Sequence, residues 1–511
     1  MGSGWRWVGL AAVVCAVAIG VACGSGDGSD VTWNPGRVDA GVDAGVDAGP
    51  DGGEDAGPDA GTDGGTDAGT DGGAWRPGAV ITVPDGAGWR FAADGLPSGS
   101  VMGASADDDG NIWVAGRANG VFVQRGGTGQ FQQFTIADGL HPYGYLPDGS
   151  PADASPSLSD TPAISIAGGP GSSAYVGYNG KGNCEDEWDS HGDHHELAGR
   201  EKLCSIFRIV WQRGSKKRVD DPNDHGFVWF GGNHGYAMGY ADYAGSSACD
   251  GQRQCSGNLE HSHPAINDAK GRFLTGEYYG IAIDTVPHVD GSGNTFYDVW
   301  FGGKYRTTRF RFGETLGDFY TALNRTELYA SKPEWARDIS PDPAAQAAFW
   351  NRMDIWPDPR GERRDAAHGN WLSQEPDRDH PADFVLDLVK GIAVTSAGDA
   401  WIGSSQNGLR IVDHDGHFLA DANMVLKTNA VGAIARDPTD DSIWVGYQSG
   451  GFGLTRIKQD GTVMHYGSAA LGSMANNSAV PDIQVQPATA TTKRRIVVAF
   501  RSGAVGIYDG D

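Results

Sequence analysis

An all-β fold is predicted for the larger part of the 511-residue chain, and three observations predict it. First, seven segments repeat one pattern, a few β-forming residues around a large one and then small residues: NIWVAGR (111–117), SAYVGYN (173–179), FVWFGGN (227–233), DVWFGGK (298–304), DAWIGSS (399–405), SIWVGYQ (442–448) and RIVVAFR (495–501). Val, Ile, Tyr, Phe and Trp favour strands, and the bounding Gly and Asn mark turns. Second, turn pairs such as Asn119-Gly120, Asn407-Gly408 and Ser502-Gly503 lead into a further alternating segment, VFVQR (121–125), LRIVD (409–413) or VGIYD (505–509). Asn-Gly tolerates the positive φ of a type I′ turn, so this is a hairpin signature. Third, Trp401 and Trp444 in the closest copies stand 43 positions apart, the length of a four-stranded propeller blade of roughly 40–50 residues. Seven copies therefore predict a seven-bladed β-propeller.

Before the repeats comes an address. Arg6 supplies a positive start, and residues 8–22 form an apolar run of 15 residues, shorter than the roughly 18–20 that a spanning helix needs. The run reads as a signal peptide over residues 1–22. Its end, Val21-Ala22-Cys23-Gly24, resembles the lipobox of bacterial lipoproteins, which implies cleavage and acylation at Cys23. Ordinary cleavage into the periplasm is the simpler alternative.

Residues 23–74 are expected to be a disordered acidic linker. Asp recurs every fourth residue from Asp39 to Asp71 in a D-A-G or D-G-G frame, which leaves almost nothing to bury and repels itself. Calcium binding is the rival reading of such Asp and Gly, but the segment lacks the D-x-D-x-D-G loop and its bidentate Glu. Twelve acids against Arg37 over 24–73 account for 11 of the 26 net negative charges. With Lys+Arg 39 against Asp+Glu 65, neutralising phosphates is excluded as the basis of function, and with it a nucleic-acid partner.

Residues 75–511 are assigned to the propeller, with long insertions at 181–203, 243–276 and 313–383. The last blade stops one strand short at Asp511, while GWRFAADGL (88–96) looks like an outer strand that precedes the first blade. Residues 88–93 are therefore expected to complete the final blade and close the ring. After SAYVGYN no third or fourth strand is recognisable, so the second blade is the weak one. Asp342 followed by Pro343 predicts a helix over 343–353 inside the longest insertion.

The frame V-x-x-I-x-x-D-x-x-G-x-I-W-V-G, with a Gly-Leu strand and F-x-x-y-x-x-x-D-G-L after it, resembles the two-component-regulator (reg_prop) propeller repeat, most closely at 101–140 and 389–467. That resemblance implies a secreted propeller lipoprotein with a recognition role, attached to the cell envelope by its lipid, at the outer membrane or the periplasmic face.

Cys184, Cys204, Cys249 and Cys255 remain after the signal segment, an even number in an exported chain, which favours disulfides. Three pairings are open, and Cys184 with Cys204 and Cys249 with Cys255 is preferred because each pair brackets one insertion. Four thiolates on zinc is the rival, without any C-x-x-C spacing. A divalent metal is the one cofactor the chain hints at, through His261, His263, His234 and Glu260, where the alternation of HSHPAIN aims His261 and His263 the same way. No G-x-S-x-G, H-E-x-x-H, P-loop or dinucleotide fingerprint is present, and no residue is assigned a catalytic role.

Position supplies the remaining candidates. Arg117, Asn179, Asn233, Lys304, Gln448 and Arg501 follow the repeated cores at one equivalent place and would ring one mouth of the central channel. Such a polar ring fits an anionic sugar or a peptide carboxylate. The sequence thus favours a monomeric, non-enzymatic propeller that binds a glycan or peptide, with an extracytoplasmic metal-assisted lyase or hydrolase as the alternative.

Overall fold

The computed structural model describes residues 75–86, 88–140, 142, 157–180, 205–213, 227–232, 235–240, 260–262, 266–267, 273–274, 278–284, 286, 288–289, 295–303, 307–312, 353–356, 388–414, 418–489 and 492–510. The signal segment, Cys23 and the acidic linker lie outside them. So do Cys184, Cys204, Cys249, Cys255, His234, His263, Asn233 and Lys304.

The described chain is built from small antiparallel sheets. Sheet one orders Gly103–Ala106, Ile112–Ala115, Val121–Gln124 and Gln132–Phe134, and sheet two pairs Ala163–Gly168 with Ala174–Tyr178. Sheet three orders Ile206–Gln212, Phe227–Gly232, Gly235–Tyr240 and Glu260–Ser262. Sheet four orders Tyr278–Ile283, Thr295–Gly303, Thr307–Phe312 and Met353–Trp356. Sheet five orders Val389–Val394, Ala400–Ser404, Gly408–Val412 and Phe418–Asp421. Sheet six orders Val431–Arg436, Ile443–Tyr447, Leu454–Ile457 and Val463–Tyr466, with Val80–Thr82 added in parallel on its outer edge. Sheet seven orders Asp482–Gln486, Arg495–Phe500 and Ala504–Tyr508, and its fourth strand is Trp89–Ala92 from the other end of the described chain, in the register Trp89 opposite Tyr508.

Each of the seven repeated cores is the second strand of its sheet. The turn that leads into it is set by the Asp of the repeat frame. Asp107, fully buried, accepts hydrogen bonds from the Asn111 backbone N–H at 2.9 Å, from Asn111 Nδ2 at 2.9 Å and from Trp113 Nε1 at 2.6 Å. Gly110 supplies the positive φ of 81° that the turn requires. Asp284, Thr395 and Asp437 stand at the equivalent places, their N–H groups donating to the carbonyls of Asp298, Asp399 and Ser442.

The core lies between successive sheets. Trp300 packs with Val389, Ile392 and Ile402 of sheet five, Trp401 with Val431 and Ile434 of sheet six, and Trp444 with Val480, Ile483 and Val498 at sheet seven. Trp229, Trp300, Trp401 and Trp444 are all fully buried, so each repeat needs its successor to cover its indole. First strands pack against first strands in chain order: sheet one on two, two on three, three on four, four on five, five on six, six on seven, and seven on one. Small residues permit that approach, since a Cβ added at Gly391 would stand 2.6 Å from the Ile434 nitrogen.

The outer strands Glu260–Ser262 and Met353–Trp356 come from inside the stretches 243–276 and 313–383. Of the helix expected over 343–353 only Met353 is described, and it opens a strand. The short helix Ser468–Asn476 after sheet six was not foreseen; it buries Ala470, Leu471 and Ala475 beside Trp444.

Candidate functional site

Sheets two to six share an irregularity at one point. The first strand carries one extra residue opposite the end of the second strand, a β-bulge, and the extra residues are Ile164, Phe207, Tyr279, Lys390 and Gly432. A bulge breaks the alternation and re-aims the side chain it carries. Three of these side chains meet. The rings of Phe207 and Tyr279 stack at 4.5 Å between centroids with 24° between planes. Lys390 Nζ lies 4.4 Å from the Tyr279 ring centre. All three are half-buried, so the first strands of sheets three, four and five present a stacked aromatic pair with a cation over the Tyr279 ring.

Polar side chains next to this platform link sheets that are not consecutive. Arg208 of sheet three forms an ion pair with the buried Asp482 of sheet seven. Asp482 Oδ2 also accepts from the Ala104 N–H at 3.3 Å and from Gln484 Nε2 at 2.8 Å, and Gln484 donates at 2.5 Å to the Ile166 carbonyl of sheet two. These bonds fix the first strands of sheets one, two, three and seven together.

Four of the six expected ring residues are described, and they occupy equivalent places at this same end of the sheets. The N–H groups of Asn179, Gln448 and Arg501 donate to the carbonyls of Pro162, Ala430 and Ala479 just before their own first strands, at 2.8, 3.0 and 3.0 Å. Arg117, at φ 54°, instead bridges to Ala163, the start of sheet two. Side chains at two of the positions serve the fold. Gln448 Nε2 donates to the Ser405 carbonyl at 3.2 Å and to Val431 at 2.9 Å, and Asn179 Oδ1 accepts from Ser205 Oγ at 2.9 Å. Both tie one sheet to its neighbour.

Of the expected metal ligands, Glu260 and His261 lie on the outer strand of sheet three, opposite Met238 and Ala237. Among the described residues, the donors that converge are others: Asp284, Asp298 and His414, whose ligand atoms lie within 4.8 Å of one another at the opposite end of the sheets from the platform. Sequence reasoning passed over them because Asp298 reads as a residue flanking a strand and His414 as part of the turn D-H-D-G. Tyr279 and Lys390 carried one weak signal, the single residue between the large and the small residue in Tyr278-Tyr279-Gly280 and Val389-Lys390-Gly391, while Phe207, between Ile206 and Arg208, carried none of that kind.

No protein-family model matches the chain, and no curated protein matches it. Solved structures similar to it include YCF48 bound to D1 peptide, at 10% identity and a TM-score of 0.40, over 85% of this chain and 100% of that one. The extracellular domain of the putative one component system BT4673 from B. thetaiotaomicron is similar at 12% identity and a TM-score of 0.39, over 83% of this chain and 40% of that one. Virginiamycin B lyase from Staphylococcus aureus is similar at 11% identity and a TM-score of 0.39, over 82% of this chain and 98% of that one.

Proposed function

We propose that the chain is an exported, lipid-anchored, non-enzymatic binding module, a seven-bladed propeller whose channel mouth takes an anionic glycan. The apolar run before Cys23 and the acidic segment after it support export, anchoring and a solvated spacer that holds the propeller off a membrane. The unbroken succession of first strands from sheet one round to sheet seven and back supports the ring. The pairing of Trp89–Ala92 with Ala504–Tyr508 supports its closure by the earlier segment.

The platform of Phe207, Tyr279 and Lys390 carries the functional reading. The half-buried Phe207 ring, backed by Tyr279, gives a sugar ring an apolar surface to pack on, and the ammonium over Tyr279 gives a carboxylate a charge-assisted partner. Arg117 and Arg501, at the same end, extend the positive potential around the mouth.

The test is calorimetric titration with uronic-acid oligosaccharides, the neutral oligosaccharides of equal length, and carboxylate-terminated peptides. The acidic sugars should bind, Lys390→Gln should weaken them about tenfold for one lost charge-assisted contact, and Tyr279→Ala should weaken acidic and neutral sugars alike. Binding of the peptides alone would replace the glycan by a peptide ligand, and binding that ignores both substitutions would remove the site from the platform.

A further inference from the structure

We propose that Asp284, Asp298 and His414 form a binding site for a divalent transition cation, with zinc the best fit, and that the ion clips sheet four to sheet five. Asp284 ends the first strand of sheet four and Asp298 lies on its second, while His414 follows the third strand of sheet five. Both carboxylates are fully buried, and the imidazole is 23% exposed.

Spacing is the first argument. His414 Nδ1 stands 3.3 Å from Asp298 Oδ2 and 3.8 Å from Asp284 Oδ2. Donor atoms bound about 2.0–2.1 Å from one tetrahedral zinc lie about 3.3–3.4 Å from each other. One separation already has that value, the second exceeds it by about half an ångström, and all three atoms lie within 4.8 Å of one another, so small rotations bring them onto one ion. Two carboxylates supply anionic donors, the imidazole adds a nitrogen donor, and this mixed oxygen and nitrogen set suits zinc better than the hard cations, which take oxygen alone.

Support from outside the three donors is the second argument. Arg309, 2% exposed, places Nε 3.5 Å from Asp298 Oδ2 and donates to the His414 backbone carbonyl. It holds one ligand and the loop of another in place, the part that outer groups play around metal ligands. Asp284 Oδ1 is fixed by the Val286 N–H at 2.8 Å, which leaves Oδ2 on the side of the cluster.

A third argument comes from the repeat itself. Sheet six has the same frame carboxylate, Asp437, and the same Arg opposite its Trp, Arg456, but Ser442 stands where sheet four has Asp298. Asp437 there faces the guanidiniums of Arg456 at 3.8 Å and Arg494 at 3.4 Å. Sheet four departs from that pattern by a second carboxylate and an imidazole, both of them metal donors.

The test uses the folded protein after chelation and gel filtration. Zinc titrated by calorimetry should bind with one-to-one stoichiometry, and at a hundredfold excess over Kd the Tm should rise by about 3–5 °C. Asp298→Asn and His414→Gln should each abolish that rise while leaving the zinc-free Tm within a few degrees of the parent. His414→Gln alters a turn residue, so it remains informative if Asp298→Asn does not fold. Cobalt should give the absorption of a tetrahedral site in the parent and not in His414→Gln. An unchanged zinc response in both variants would place the ion elsewhere and overturn the proposal.

Discussion

Arg456 sits with its guanidinium carbon 5.1 Å from the centre of the Trp444 ring, directly opposite it on the adjacent strand of sheet six. Its Nε donates to Ser442 Oγ at 2.9 Å, and a terminal nitrogen donates to Asp440 at 2.8 Å and lies 3.8 Å from Asp437. Sheet four repeats the arrangement, with Arg309 opposite Trp300 and 5.7 Å from its ring. In both sheets a buried cation covers the indole that seals the gap to the next sheet, and joins it to a buried carboxylate, Asp437 after the first strand of sheet six and Asp298 on the second strand of sheet four.

Arg456→Met is accordingly expected to lower the unfolding free energy by about 3 kcal/mol, the low end for breaking a buried pair, because Arg494 still faces Asp437. Arg456→Lys should recover part of the loss, since it keeps the charge and gives up the planar stack and the fork of donors. Urea unfolding followed by tryptophan fluorescence measures both, and equal stability of the Met variant would show that the network adds nothing net.

Asp107→Ala removes one acceptor from three donors at once. The Asn111 amide has a second partner in Ser172 Oγ at 3.1 Å, but the Trp113 indole N–H donates at 2.6 Å to Asp107. Unsatisfied buried donors cost about 1–3 kcal/mol each, so a loss of about 2–4 kcal/mol is expected in chemical denaturation. Asp107→Asn should lose less, because its carbonyl oxygen still accepts.

His465 supplies a pH dependence. Its Nδ1 lies 3.0 Å from Thr455 Oγ1, which in turn lies 2.6 Å from the Tyr447 hydroxyl. Burial first, and then the charge of Lys427, push its pKa from 6.5 down to about 4. The unfolded chain therefore binds the proton more readily than the folded one between those values, and the stability present above pH 6.5 is lost as pH falls toward 4. In a Tm series from pH 4 to 7, His465→Gln should flatten this part of the profile; an unchanged slope would assign it to other groups.

The second strands were legible because their large apolar residues lie between turn residues, a signal carried by each segment alone. So was the pairing partner of Ala504–Tyr508, because a segment one strand short and a segment one strand over complete each other. The bulges were not legible, since an extra residue exists only relative to the strand opposite: in Val389–Val394 Lys390 reads as one polar residue in an apolar run. The same limit hid Asp284, Asp298 and His414, which come from two sheets and three loops or strands and meet only once sheet four packs on sheet five. The ring residues show the converse. Their equivalent placement followed from the repeat, but the use of Gln448 and Asn179 to bond neighbouring sheets depends on carbonyl and hydroxyl groups that no repeat alignment displays.

Trp89 tests how much of the fold rests on the pairing of distant segments. Its ring lies 5.1 Å from Tyr508, its partner across the strands, and 5.8 Å edge-on from Trp444 of sheet six, so one side chain joins the added strand to two sheets. Trp89→Ala should cost about 3 kcal/mol, the low end for truncating a large aromatic, because the ring is only partly buried. A chain that begins at residue 94 should fare much worse, since it leaves the edge of Ala504–Tyr508 unpaired and open to association with other chains. A chain that begins at residue 75 keeps the strand and should match the parent in Tm. Monomeric, fully stable protein from the residue-94 chain in size-exclusion chromatography and thermal unfolding would mean that sheet seven stands on three strands and that Trp89–Ala92 only decorates it.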